Sequence, residues 1–235
     1  MIKRIFPLAL MALLVCALSN TSFASLVLLI DDDATAGIDV VVIDNAPAGT
    51  TSSGGLFTST IADSNATLGG VVFNGDLNNF ELVVTTGASK PLLTGNTIDL
   101  NSIVAAFDPA GGGLSMLVLD TGFVDNGYGF RTEIGGTTNG TVEAVSLVSP
   151  DNAEGNFGVV SASPVFGVSP FMWADEAQVS VDSVFGMAVE AKVELSGAGM
   201  TSFDLSFQQV PEPTTALIWT MLAGVGLIGR RRRSF

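Results

Sequence analysis

Any chemistry carried out by this chain has to be carboxylate chemistry. Histidine is absent and Cys16 is the only cysteine. Nucleophile–base pairs and nitrogen–sulfur zinc sites therefore have no starting material. No G-x-S-x-G elbow and no Walker loop occurs either. A glycoside hydrolase needs two carboxylates at a set separation. With 22 of the 23 acidic residues between positions 25 and 210, some pair falls close by chance and no catalytic residue is singled out. A non-enzyme without cofactors is expected. Asp31, Asp32 and Asp33 form the sharpest cluster, and calcium takes such oxygen-rich loops. The spacing departs from an EF-hand, because Ala36 stands where glycine belongs and Val42 where the bidentate glutamate belongs. These three aspartates are weak metal candidates, and a solvated strand end accounts for them without an ion. Sugar-stacking platforms are few. Trp173 and Tyr128 are the only non-phenylalanine aromatics between residues 25 and 210. Phe171 and Trp173, on either side of Met172, are expected to fill a core rather than bind.

The segments that would position these groups read as strands. "SLVLLIDDD", "GIDVVVIDNAPAG", "NNFELVVTTGASKP", "GNTIDLNSIVAAF", "GLSMLVLDTG", "YGFRTEIGG" and "GTVEAVSLVSPD" are apolar, β-branched runs closed by Gly, Asn, Asp or Pro. "MAVEAKVELS" alternates most cleanly, with Val189, Ala191, Val193 and Leu195 on one face and Glu190, Lys192 and Glu194 on the other. "TSFDLSFQQV" follows after "GAGM", with Phe203, Leu205 and Phe207 on one side. The two predict a closing hairpin. "SPFMWADEAQVSVD" before them reads as a loop leading into a strand. Residues 25–209 are expected to form one all-β domain, an antiparallel β-sandwich or jelly-roll-like fold. Asn65 and Asn139 fit N-x-[ST] and are read as turns. Lys90, Arg131 and Lys192 are the only cations of residues 25–210, whose net charge is −19. Nucleic acid is excluded as a partner, since phosphate recognition needs Lys and Arg.

Both ends read as addresses. Lys3 and Arg4, an apolar run from Ile5 to Leu18 and the small-residue site "SFA" predict a secretory signal peptide over residues 1–24, cut between Ala24 and Ser25. Cys16 leaves with it, so no disulfide is expected. "VPEPTTALIWTMLAGVGLIGRRRRSF" closes the chain. Its uncharged stretch from Thr214 to Gly229 predicts a short transmembrane helix. Arg230, Arg231, Arg232 and Arg233 then act as a stop-transfer lock on the cytoplasmic side. "GVGLIG" within it has the spacing of a dinucleotide loop but no preceding strand and no acidic residue about 20 positions on.

Val210-Pro211-Glu212-Pro213, the apolar run and the arginine cluster together resemble the PEP-CTERM sorting signal of Gram-negative bacteria, placing the sorting region at residues 210–235. That resemblance implies processing by exosortase, a membrane transpeptidase-like enzyme, with Val210, Pro211, Glu212 and Pro213 as the recognition motif. It also implies passage through the inner membrane to the cell surface or extracellular space, and association with exopolysaccharide and biofilm. "DDDATAGIDVVVIDN", "TTGASKPLL", "IDLNS", "SPF" and "GAGMTSFDLSFQQVPEP" are similar to stretches of other exported proteins of this kind, and imply a β-rich surface domain. The expected role is structural or adhesive. A calcium- or glycan-binding module is the alternative, and a carboxylate-dependent glycoside hydrolase a more distant one.

Overall fold

The computed structural model of the protein describes residues 26–32 and 37–210. The expected signal peptide, its Ala24–Ser25 cut, Asp33, Pro211–Pro213, the apolar tail and the four arginines lie outside the described residues.

Twelve strands form two antiparallel six-stranded sheets. The first runs β2 (Val40–Ile43), β1 (Val27–Asp31), β6 (Gly112–Val124), β11 (Val184–Leu195), β8 (Thr141–Ser149), β9 (Gly158–Ala162). The second runs β10 (Phe171–Ala177), β7 (Gly129–Thr138), β12 (Gly199–Val210), β5 (Thr97–Ala106), β4 (Phe80–Ala88), β3 (Gly70–Leu77). Among the described residues there is no helix, and so none long and apolar enough to cross a membrane. The sandwich expectation holds.

Alternation decides which sheet face turns inward. Ile98, Leu100, Val104 and Ala106 of β5, Val142, Ala144 and Val148 of β8, and Phe203, Leu205 and Phe207 of β12 meet in one core. Val189, Ala191, Val193 and Leu195 join them, as their spacing predicts. Phe130 carries an aromatic chain through this core, stacked on Phe207 at 5.4 Å and edge-on to Phe185 at 5.7 Å. Threonine and serine on the inner faces pair with one another. Thr132 Oγ1 of the second sheet donates to Ser146 Oγ of the first at 2.7 Å, a bond that crosses the core. No buried side-chain nitrogen or oxygen among the described residues lacks a partner.

The closing hairpin does not form. β11 pairs with β6 and β8, whereas β12 pairs with β5 and β7 in the opposite sheet. The connection at 196–198 crosses from one layer to the other. Each strand has one mainly apolar face, and placing the two opposite each other across the core buries both. "SPFMWADEAQVSVD" also differs from expectation, because the strand comes first, as β10, and residues 178–183 form a connection.

A second apolar cluster sits on the outer face of the first sheet. Val27, Leu29, Val41, Ile43, Leu119 and Ala188 are buried there beneath the long β2–β3 connection, residues 44–69. Phe57 and Phe157 pack over them. Glu154 fastens this cover: its carboxylate accepts from Ser52 Oγ at 2.6 Å and from the Gly54 amide at 2.9 Å. β11 is consequently buried on both faces from Phe185 to Val189.

Candidate functional site

The outer face of the second sheet holds a groove of about 750 Å³ across β10, β7 and β12. Alternation again sets its lining. Phe130, Thr132 and Ile134 of β7 turn inward, so Arg131, Glu133 and Gly135 are left outside. Met172 of β10 stands opposite Gly135, and Asp204 of β12 is its partner on the other side. Ser206 completes the β12 wall. Gly135 keeps the floor low: a Cβ there would meet only the Phe171 carbonyl oxygen, at 3.7 Å. The adjacent Gly136 faces inward, and a Cβ there would lie 2.2 Å from the Ser202 carbonyl oxygen.

The polar groups of the groove are oriented by one another. Arg131 Nε donates to Glu133 Oε1 at 3.0 Å, and its guanidinium also reaches Glu176 at 3.5 Å. Asn101 Nδ2 donates to Asp204 Oδ1 at 3.1 Å. Next to that pair, Asp99 of β5 is pushed up to about 6, first by burial, then by the like charge of Asp204 and their mutual hydrogen bond, with Asn101 opposing. Planar guanidinium and carboxylate edges offer paired donors and acceptors to vicinal hydroxyl groups. The apolar wall consists of Met172, 87% exposed, and Trp173, which borders the groove while packing against the main core. Phe171 is buried and stacks on Phe166 at 4.8 Å. The core-filling expectation thus holds for Phe171, and Trp173 packs against the same core while bordering the groove.

Of the expected aspartate cluster, Asp31 and Asp32 are among the described residues and Asp33 is not. Asp31 and Asp32 are joined by Asp39, with carboxylate oxygens all within 4.8 Å of one another. Asp39 arrives because the backbone returns beside β1 to begin β2, its amide donating to the Ile30 carbonyl at 3.1 Å. Run-length in the sequence picks out consecutive aspartates; only strand pairing brings in Asp39. Protein donors already serve two of the carboxylates: the Asp32 amide reaches Asp39 Oδ2 at 3.0 Å, and Asn78 Nδ2 donates to Asp32 Oδ2. Asn65 and Asn139 lie in connections, Asn65 Oδ1 accepting from the Thr67 amide at 3.0 Å and the Asn139 amide donating to the Met200 carbonyl at 3.1 Å.

Among solved structures, several resemble this chain at low TM-score. The N-terminal cellulose-binding domain of Cellulomonas fimi β-1,4-glucanase C is 17% identical over 63% of this chain and 93% of that one, with a TM-score of 0.34. A carbohydrate-binding module of the β-sandwich superfamily is 13% identical over 79% and 84%, at 0.35. The CBM22-1–GH10 modules of Clostridium thermocellum xylanase 10B, in complex with xylohexaose, are 11% identical over 60% of this chain and only 26% of that one, at 0.32. Similarity at this level assigns no ligand. Comparison with curated proteins finds no match. The end of the chain is another matter. Residues 209–233 match the PEP-CTERM protein-sorting motif, and the chain is therefore one that carries this export-sorting signal.

Proposed function

We propose that the protein is delivered to the cell surface or extracellular matrix by its C-terminal signal, and that its sandwich serves there as a structural or adhesive element holding a polysaccharide. Export and exosortase-type processing rest on the match over residues 209–233. In this reading Val210–Pro213 are the recognition motif, the apolar stretch after them is an anchor in transit, and Arg230–Arg233 form its cytoplasmic lock.

The observation that carries glycan binding is the groove itself. It combines an open sheet face, a guanidinium between two carboxylates and an exposed thioether wall. Sugars present hydroxyl edges and apolar C–H faces, and this lining meets both. Binding without turnover is expected, because no carboxylate in the groove is singled out as an acid or a base. The test is titration of the detergent-solubilised chain, parent and Gly135→Val, with soluble exopolysaccharides. Valine fits a strand, and its methyl groups project into the groove. The parent should bind and Gly135→Val should lose at least about tenfold in affinity, with an unchanged circular dichroism spectrum. Equal binding by both proteins would remove the groove from the function. Calcium titration of the same samples tests the Asp31–Asp32–Asp39 alternative.

A further inference from the structure

The sorting motif begins inside the folded domain. Its first two matched residues, Gln209 and Val210, are the last two residues of β12. They stay in register to the end, Gln209 with Phe130 and Val210 with Gly129. The Gln209 backbone amide also donates to the Asn96 carbonyl at 2.9 Å. Its side chain is occupied on both sides. Oε1 accepts from Asn96 Nδ2 at 2.7 Å and from the Asn126 amide at 3.3 Å. Nε2 donates to Asp125 Oδ1 at 2.7 Å and to the Tyr128 carbonyl at 3.4 Å. A carboxamide has two donors and two acceptor positions, and all four are used. One side chain thereby ties β12 to the β4–β5 connection and to the β6–β7 connection. Asn96 Nδ2 extends the clamp to the Val124 carbonyl at 2.6 Å.

We propose that Gln209 is a positioning residue for processing: it holds the end of β12 so that the motif leaves the domain at a fixed point, and the cut falls C-terminal to Val210. This rests on the sorting reading above. An enzyme that engaged residues before Pro211 would first have to peel two ladder positions and empty the Gln209 carboxamide of its partners. An enzyme acting from Pro211 onward meets a strand end already extended and immobile, as a residue before proline prefers. The ordering of that segment precedes the encounter, and that is how fixed geometry accelerates a reaction between two held partners. The same clamp fixes the pole of the sandwich formed by residues 94–97 and 124–129 as the one facing the processing enzyme.

The experiment uses the full chain in a host that makes the processing enzyme, with pulse–chase labelling and blotting against the body. Gln209→Ala removes the clamp. A Gly-Ser-Gly-Ser insertion between Val210 and Pro211 keeps the clamp and the domain intact but uncouples the motif from them. Both should slow processing by about tenfold or more. The insertion should leave thermal melting unchanged, so its effect cannot come from a weakened domain. Mass spectrometry of the product should find Val210 retained. Parent-rate processing of both variants, or a product that lacks Val210, overturns the clamp. Glu212→Ala is run beside them. If it too is processed normally, the sorting reading itself fails. If it blocks processing while the other two run at the parent rate, only the clamp is lost.

Discussion

Asp120 lies fully buried on β6 and receives three donors: Ser89 Oγ at 2.6 Å, Lys90 Nζ at 2.8 Å and the Thr121 amide at 2.7 Å. Burial pushes its carboxyl up, against the Lys90 charge and the hydrogen bonds from Lys90, Ser89 and Thr121. A carboxylate only accepts, so three converging donors describe the ionised form. Lys90 is held as an ammonium from other sides as well, by the Thr121 carbonyl and by the Phe123 ring, 4.0 Å from Nζ to its centroid. The pair joins the β4–β5 connection of one sheet to β6 of the other. Breaking it from one side leaves a buried charge alone, which costs about 3–5 kcal/mol. Lys90→Met should show a loss of that size in chemical denaturation. Lys90→Met with Asp120→Leu should recover most of it, since neither charge then remains. A double variant no better than the single one would mean that the pair is held for a reason other than charge balance.

At the scale of elements, how much could be read from the sequence depended on whether the signal was periodic. β11 and β12 announce themselves through alternation, and Val189, Ala191, Val193, Leu195, Phe203, Leu205 and Phe207 were legible as inward one by one. β5 and β8 turn Ser102 and Ser146 inward and Ile103 and Val145 outward, so there only the strand itself was legible. Pairing was not legible. Adjacent alternating runs suggest a hairpin, but alternation says which face is apolar and not which sheet the strand joins. β3 carries Gly75 at a register shift and few apolar residues beyond Phe73, and β9 is a short edge strand, so neither stands out. The groove was not legible: Phe171 and Trp173 read as core-filling, and Arg131, Glu133 and Asp204 become a set only once β10, β7 and β12 lie side by side. Nor could the cover over the first sheet be foreseen, because its residues show no period and its fastening to Glu154 spans |i−j| of 102 from Ser52. That fastening yields a prediction. Glu154→Ala removes two hydrogen bonds to a buried charge, each worth about 1.5–3 kcal/mol. The 44–69 connection should then open locally while both sheets persist. Limited proteolysis should cut near the exposed Leu56 in the variant and spare the parent, with sheet content by circular dichroism retained. Resistance to proteolysis in the variant would show that Phe57 and Phe157 hold the cover unaided.

The molecule as a whole is an acidic sandwich with few countercharges. Each of the three cations among the described residues is already committed: Lys90 to Asp120, Arg131 to Glu133 and Glu176, Lys192 to Glu190. Carboxylates therefore far outnumber the bases, and self-repulsion grows as they ionise. Asp99 feels this on top of a larger effect: burial first, and then the like charge of Asp204, push it up to about 6 against an ordinary 3.8. A folded state that holds a proton more tightly than the unfolded chain loses stability as pH rises. For Asp99 that loss begins near pH 4 and is complete above about 6. Asp44, raised chiefly by burial, acts in the same sense. Asp151, lowered by hydrogen bonds from Asn156 and Ser149, acts oppositely but is fully exposed. Thermal melts across pH 4 to 7 should accordingly show a falling midpoint in the parent. Asp99→Asn carries no charge at any of these values. It should match the parent at pH 4 and exceed it at pH 7, by about 2–4 °C for each kcal/mol of repulsion removed. Asn101 and Asp204 remain in place, so the difference between the two curves isolates the Asp99 proton. A parent midpoint that climbs from pH 4 to 7, or an Asp99→Asn curve parallel to it throughout, would place the dominant acid coupling elsewhere in the sandwich.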